Sequence, residues 1–571
     1  MRKVTIVGAG MAGMSAALRL LERGFHVTLL EQDAFMGGML RACEFDDEDL
    51  DEGDKYHEHS YHMLMNWYVN TWDIIDELGV RDKFSPSYAF YFLRRGEAHE
   101  RRMLNVGSPW DLLRNITSGA APIPDLFIFM YSMIDLLSTP MKKDSFLDNY
   151  SVNGFMHSRP YSTERATELQ QKVWETVWAI PSYDASAKGY KNFLKYGNFA
   201  PVPQIWLFNE NKYDALIKPF ERKLQSFGDQ FEFIPLAQVN DLVLDDHGRV
   251  ESIAYSKMAT SPSINPQGWH HRPPHDPEIP NEPPLRIDGD LIMAVTPGAL
   301  SRMVKDDLFN RDPRLGDIRK LESVPMASVE LHFKPGKRLK VPKDVCVLMD
   351  AKYEMTFLDY SQHWPNQNST FLYVTCSDCE SLMSVPPERR AQVVSKKSGA
   401  KSPGALVLDL SRPTTAIEYL IAELRNTVEF DADDIDLVRT RIQTNTGEDL
   451  FANSTGSEAF RPTTETKIPN LFIAGTYVQN YADVATIEGA VTSGLMAAEA
   501  VRSRSGVIPP IEVKTAGYHH ESVFAMLKIL WAPYAYGAKA WSMMNDAFGT
   551  PDGNYFDPWM KALRNAKRVS R

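Results

Sequence analysis

The chain has 571 residues, 43% hydrophobic and 24% charged, an ordinary globular balance with enough length for two or three domains. Its net charge of −12 argues against nucleic acid as a partner. Four cysteines make no disulfide framework and point to a reducing, cytoplasmic setting.

Residues 4–7 are a short apolar run of the kind buried on both faces in a parallel sheet. The run starts too early for a cleavable leader to precede it. A glycine-rich turn follows, then helical apolar spacing over 14–23 with Gly24 as its stop. Residues 27–30 are a second strand, completing a βαβ unit. The acidic run 46–54 reads as a solvated loop. Helical patterns cover 63–78 and 161–179. Strands are expected at 231–234, 239–244 and 250–255, with a hairpin turn at 245–248. Residues 256–286 and 386–404 read as inserted loops. Further strands fall at 291–295, 328–333, 371–375 and 471–474, and a helix at 486–502.

Three segments carry the chemistry. In Gly8-Ala9-Gly10-Met11-Ala12-Gly13 the first glycine permits the tight turn, and the second lets backbone approach a pyrophosphate. The third lets the helix pack on the sheet, and the helix N-terminus faces the phosphates. Glu31, with Gln32 beside it, ends the second strand at the distance where a carboxylate accepts from ribose hydroxyls. Val239 lies on the strand expected beside the same ligand. The second segment is Gly37-Gly38-Met39-Leu40. The third is Gly475-Thr476 at a strand end, followed by Thr486-Ile487-Glu488-Gly489-Ala490 opening a helix.

These segments resemble the amine oxidase and phytoene desaturase superfamily of flavoproteins. Met39 departs from the family's usual Arg or Lys, and Thr476 from its usual Asp or Glu. Glu58-His59-Ser60-Tyr61-His62 with Tyr68-Val69-Asn70 resembles the Glu-x-Gly-x-His and Tyr-x-Asn segment of plant and cyanobacterial carotene desaturases. Hydroxysqualene dehydroxylases share a similar segment. Residues 207–220, 326–333 and 357–366 resemble further segments in order. The resemblance implies an α/β fold with a Rossmann-type FAD-binding domain and an interleaved mixed α+β substrate domain. The expected division is 1–100, 210–300 and 465–505 for FAD, 101–209 and 301–464 for substrate, and 506–571 as an extension.

The resemblance implies an FAD-dependent oxidoreductase. A hydride leaves an allylic carbon of an apolar unsaturated lipid or isoprenoid for flavin N5. The final electron acceptor, quinone or oxygen, stays open. Three alternatives stay open as well: an isomerase or dehydroxylase of an unsaturated lipid, an amine oxidase, and a non-catalytic flavin-bearing lipid-binding protein.

His62 is the candidate proton acceptor or donor, set against a structural histidine. Tyr477 is a candidate acid, set against a cavity wall residue. Cys376 and Cys379 form a CxxC without a second pair, and His270, His271 and His275 fit no helix face, so no metal is expected. No apolar run reaches the ~18 residues that span a bilayer. Residues 126–134 fit a core helix or a membrane interface equally. Residues 523–541, with lysines flanking aromatics, and the basic stretch 561–571 suit peripheral contact with a membrane surface.

Overall fold

Five short apolar strands build a parallel sheet in the order Phe231–Ile234, His26–Leu30, Lys3–Val7, Asp290–Met293, Leu471–Ile473. The computed structural model describes residues 2–40, 42–44, 56–58, 60–96, 101–106, 109–116, 118–140, 144–178, 180–197, 201–258, 282–365, 367–383, 410, 413, 415–437, 439–444, 450–517 and 521–548. The expected loops at 46–54 and 386–404, most of the loop at 256–286, His59, His270, His271, His275 and the basic stretch 561–571 lie outside these residues. In chain order the sheet runs 3-2-1-4-5. The winding reverses beside Lys3–Val7, and at such a reversal the carboxyl ends of the strands open a crevice.

The helix Met11–Leu21 starts three residues before the spacing predicts. Its first turn contains Gly13, which breaks the apolar pattern yet is buried. It packs along Ile487–Ser505, and a Cβ on Gly494 there would stand 2.1 Å from Ala12 O. Small residues set that approach.

The helix expected over 63–78 is a correction. Met63–Met65 is a strand paired antiparallel with Ile205–Phe208, and the helix begins only at Val69. A three-residue apolar run carries too little periodicity to tell the two apart, and the tertiary partner decides. The hairpin at 245–248 is present: Gly248 has φ +74° and its N–H donates to Asp245 O at 2.9 Å.

A second, seven-stranded sheet runs Arg441–Thr444, Ala327–His332, Phe371–Cys376, Met355–Asp359, Cys346–Leu348, Ala89–Leu93, Arg101–Leu104. Every pairing is antiparallel except that of Cys346–Leu348 with Ala89–Leu93. Its three central strands are buried at every position, so both faces are covered. One face packs on the helix Ala416–Arg425; the other carries Tyr360 and Tyr373 toward Tyr61.

Helix Ile123–Leu137 is buried and packs against the long helix Glu521–Phe548, where Phe127 stacks on Trp531 with centroids 5.5 Å apart. Among the described residues, no helix is long and apolar enough to cross a membrane.

Candidate functional site

The two glycine segments touch. Gly37 N–H donates to Ala9 O at 2.8 Å, and Gly10 and Gly37 form a parallel bridge. Gly8 (φ +101°), Gly37 (φ +115°) and Gly38 (φ +55°) hold left-handed backbone, which glycine adopts without strain. A Cβ on Gly38 would lie 2.8 Å from Gly10 Cα, and one on Gly13 would lie 1.9 Å from Gly8 O. On Gly10 a Cβ would meet only Gly38 Cα, at 3.7 Å. Gly10 therefore faces open space, whereas Gly13 is a packing position.

Glu31 is buried at the end of His26–Leu30. Its Oε2 accepts from Ala9 N–H at 2.7 Å and its Oε1 from Asp33 N–H at 3.2 Å. The glycine turn thus fixes the carboxylate that the spacing singled out. On the far side, Gly475 (φ +140°) donates its N–H to Ser493 Oγ at 2.8 Å. Thr486 caps the helix Ile487–Ser505, its Oγ1 accepting from Gly489 N–H at 3.0 Å.

A third group stands behind Ser60, Tyr61 and His62. Glu58 and Lys212 form a fully buried ion pair at 3.2 Å. Glu58 Oε1 also accepts from the Lys212 backbone N–H at 2.5 Å, and Glu58 N–H donates to Glu330 Oε1 at 2.6 Å. Tyr373 OH donates to the same Glu330 oxygen. Burial pushes the Glu58 carboxyl up to about 7, against the pull of the Lys212 ammonium. Lys212 Nζ donates to Ser60 O at 2.5 Å, and His62 Nδ1 lies 3.3 Å from the same oxygen. Burial first, then the Lys212 charge, hold the His62 imidazole well below its ordinary value, against the Ser60 bond that raises it.

These parts surround one cavity of about 650 Å³ at the crevice end of the parallel sheet. Gly8, Gly10, Met11, Ala12, Glu31 and Gln32 line it, as do Gly37, Gly38, Met39 and Leu40. Val239, Gly475, Thr476, Thr486, Ile487 and Ala490 close it, with His62 and Tyr477. Ala9, Gly13 and Glu488 do not line it; Glu488 turns away to bind Asn70, Thr71 and Tyr481. The Tyr477 ring lies against Gly475, and its hydroxyl is buried without a hydrogen-bond partner among the described residues.

Charge is unevenly placed around the cavity. Its charged lining residues, Glu31, Asp33, Asp241, Arg302 and Lys305, all come from segments of the parallel sheet and its hairpin. Met63, Met65, Trp178, Met326, Leu450 and Phe451 also line it, with Ser60, Tyr61, His62, Tyr68 and Thr375, and none of these is Asp, Glu, Lys or Arg. Tyr68 stands in the Tyr-x-Asn segment and Lys212 and Glu330 in segments 207–220 and 326–333 of the resemblance, but their side-chain roles, and that of Arg302, carry no sequence pattern of their own. Cys376 and Cys379 are buried thiols outside any disulfide, and burial raises Cys376 well above the ordinary thiol value. Among the described residues no three His, Cys, Asp or Glu side chains gather as a metal site.

Comparison with known proteins agrees with this geometry. Residues 6–78 match the NAD(P)-binding Rossmann-like domain and residues 284–502 match the flavin containing amine oxidoreductase family. The zeta-carotene desaturase of Synechocystis sp. is 21% identical over 542 residues, covering 87% of this chain and 97% of its own. The 15-cis-phytoene desaturase of Solanum lycopersicum is 20% identical over 526 residues, covering 87% of this chain and 77% of its own. A redesigned putrescine oxidase shares the fold, with TM-score 0.57 and 14% identity over 88% of this chain and 99% of its own. Fold, cradle and matches define an FAD-dependent oxidoreductase. Within that class, residues 284–502 resemble the flavin containing amine oxidoreductase family, and carotene desaturases are among the chain's distant relatives.

Proposed function

We propose that this enzyme removes a hydride from an apolar unsaturated lipid or isoprenoid, as a desaturase does. One observation carries the reading: among the described residues, the cavity's acidic and basic lining is confined to Glu31, Asp33, Asp241, Arg302 and Lys305, while Met63, Met65, Trp178, Met326, Leu450 and Phe451 line it beside Ser60, Tyr61, His62, Tyr68 and Thr375, with no Asp, Glu, Lys or Arg among them. A cationic amine entering there finds no carboxylate, whereas a hydrocarbon chain loses little on leaving a lipid phase.

FAD fits the residues present. The left-handed glycines bring backbone where a pyrophosphate lies, Glu31 is pinned where ribose hydroxyls reach it, and the Ile487–Ser505 N-terminus faces the cavity. We assign Gly8, Gly10, Glu31, Gly38, Gly475 and Thr486 to holding it. When bound, FAD supplies the two-electron acceptor. The protein's part is to exclude water, align the apolar chain and take up the proton lost beside the departing hydride. His62 is the cavity-lining group suited to that last task. On this reading the parallel sheet with its hairpin forms the cofactor half, and the seven-stranded sheet with the helices forms the substrate half. The final electron acceptor is a quinone or oxygen.

The same reading gives the helix Glu521–Phe548 the role of docking on a lipid surface. Lys528 pairs with Asp135, Lys539 donates to Pro160 O and Asp546 pairs with Arg165, so these charges bind the body of the protein. Met526, Ile529, Leu530, Tyr534, Met543 and Met544 remain exposed, Ile529 by 75%. An uncharged outward face of this kind suits a membrane interface.

The test is anaerobic titration of the flavin band with polyisoprenoids in liposomes, then with primary amines. Bleaching by an isoprenoid, with a product two hydrogens lighter, is the expected result. Bleaching by amines alone overturns the reading, and a product of unchanged mass marks an isomerase.

A further inference from the structure

The carbonyl oxygen of Ser60 is approached from two sides, by Lys212 Nζ at 2.5 Å and by His62 Nδ1 at 3.3 Å. A carbonyl only accepts, so Nδ1 carries the proton and the accepting lone pair of the ring is on Nε2. We propose that Lys212 is a positioning residue for His62: it holds the shared carbonyl and keeps an ammonium beside the imidazole. The ring facing the cavity is thereby fixed as a neutral proton acceptor.

Three features make this arrangement rigid. Lys212 has a side chain 0% exposed and is anchored at both ends, its N–H on Glu58 Oε1 and its Nζ between Glu58 Oε2 and Ser60 O. Glu58 is in turn tied through its N–H to Glu330 on the strand Ala327–His332 of the seven-stranded sheet. Ser60 Oγ donates to Tyr61 O at 2.9 Å and lies 3.5 Å from Thr375 Oγ1, while Tyr61 OH meets Thr356 Oγ1 at 2.7 Å. The turn bearing His62 is therefore clamped to two neighbouring strands.

The sign of the electrostatics follows from the charges. A second cation at His62 would stand against the Lys212 ammonium across one shared oxygen, in a site water does not screen. The other ionisable groups near the turn are Glu58, which pairs with the ammonium, Glu330, which accepts from the Glu58 N–H, and Tyr61, Tyr360 and Tyr373. Burial is the largest influence on each of these phenols and pushes them well above their ordinary value, so they stay neutral. The use of the acceptor in taking the substrate proton rests on the desaturase reading; the state of the ring does not.

The experiment is NMR of the FAD-loaded enzyme, labelled with ¹⁵N- and ¹³C-histidine and free of substrate. The spectrum of His62→Gln identifies the His62 signal among the 14 histidines. Wild type is expected to show the Nδ1–H tautomer and protonation of His62 only well below the ordinary histidine value. The double variant Lys212→Met/Glu58→Gln removes the cation without leaving a lone buried carboxylate. Its His62 titration is expected to move up by about one pH unit, and the acid limb of kcat/KM to move with it. Lys212→Arg, which keeps the charge, restores the low midpoint. An Nε2–H tautomer in wild type, or a midpoint unmoved in the double variant, overturns the proposal. Because no substrate is present, failure of isoprenoid to bleach the flavin leaves this result standing.

Discussion

Glu488 caps the helix that carries Asn70. Its Oε1 accepts from the Asn70 backbone N–H at 3.0 Å and from Asn70 Nδ2 at 2.8 Å. Its Oε2 accepts from Thr71 N–H at 2.9 Å and Thr71 Oγ1 at 2.7 Å. Asn70 and Thr71 are the second and third residues of Val69–Leu78, whose own preceding residue, Tyr68, offers no capping side chain. A carboxylate 418 positions away takes the place of an N-cap.

Glu488→Ala removes the acceptor of the Asn70 and Thr71 backbone amides and of Asn70 Nδ2, Thr71 Oγ1 and Tyr481 OH. The expected loss is about 1–3 kcal/mol of stability, read as an earlier denaturant midpoint, together with weaker flavin retention because the first turn of the Glu488 helix lines the cavity. Glu488→Gln, which keeps one acceptor oxygen, is expected to lose less. Equal stability of wild type and the alanine variant rules out the cap.

Gly10 and Gly13 separate binding from folding. Gly10→Leu places a side chain in the open cradle, so the protein is expected to fold with wild-type circular dichroism and to purify without flavin. Gly13→Leu drives a Cβ to 1.9 Å from Gly8 O and is expected to fail at folding itself. A Gly10→Leu enzyme that keeps stoichiometric FAD by absorbance contradicts pyrophosphate docking at this glycine.

Glu175 makes stability depend on pH. Burial, then the nearby Glu354, pushes its carboxyl up to about 8, while its Oε1 accepts from Ser182 N–H. The folded value lies above the unfolded value of about 4.3. Between those two limits the native state keeps a proton that the unfolded chain has released, so this group's stability contribution is present below the window and falls as pH rises through it. The slope is at most ~1.4 kcal/mol per pH unit. Glu175→Gln is therefore expected to match wild type near pH 4 and to gain on it steadily toward pH 8 in urea unfolding. A constant difference across that range refutes the assignment.

The outer face of Glu521–Phe548 predicts a surface phenotype. Ile529→Asp/Leu530→Asp places two charges on the exposed face without touching the ion pairs that hold the helix down. Flavin content and melting temperature should stay at wild-type values. Flotation with phosphatidylglycerol-containing vesicles should be lost, and turnover of isoprenoid presented in liposomes should fall with it. Unaltered flotation excludes this face as the docking surface.

Much of the cofactor half is legible in the sequence, for a local reason. The runs at 4–7 and 27–30 are apolar at nearly every position because both faces of a parallel strand are covered, and glycine at positions 8, 37 and 38 announces left-handed backbone directly. What stays hidden is what distant segments do to each other. Glu488 reads as a flavin contact because it stands among expected flavin contacts; only the fold shows its carboxylate turned to Asn70. Lys212 falls in the resembling segment 207–220, but its role gives no local signal, since a buried lysine is recognised by its partners, and Glu58 lies 154 residues upstream. In the seven-stranded sheet the sequence predicts the strands at 328–333 and 371–375 but not Ala89–Leu93, Arg101–Leu104, Cys346–Leu348 or Arg441–Thr444, and its order depends on pairings such as Cys346 with Tyr91 that no local pattern encodes.

The contact between Ala9 and Gly37 is only the first stage of the cradle. Its other walls come from Val239, Ala294, Gly475 and Thr486, and the strand that brings Gly475 into place pairs with Asp290–Met293 at the edge of the sheet. During synthesis on the ribosome, the βαβ unit can form early, but it grips nothing until the segment bearing Gly475 and Thr486 has emerged. Cofactor capture is then a late event in biogenesis, and a nascent chain stalled before the Ile487–Ser505 helix should be apoprotein with its parallel sheet missing an edge, a state open to mispairing and to chaperones.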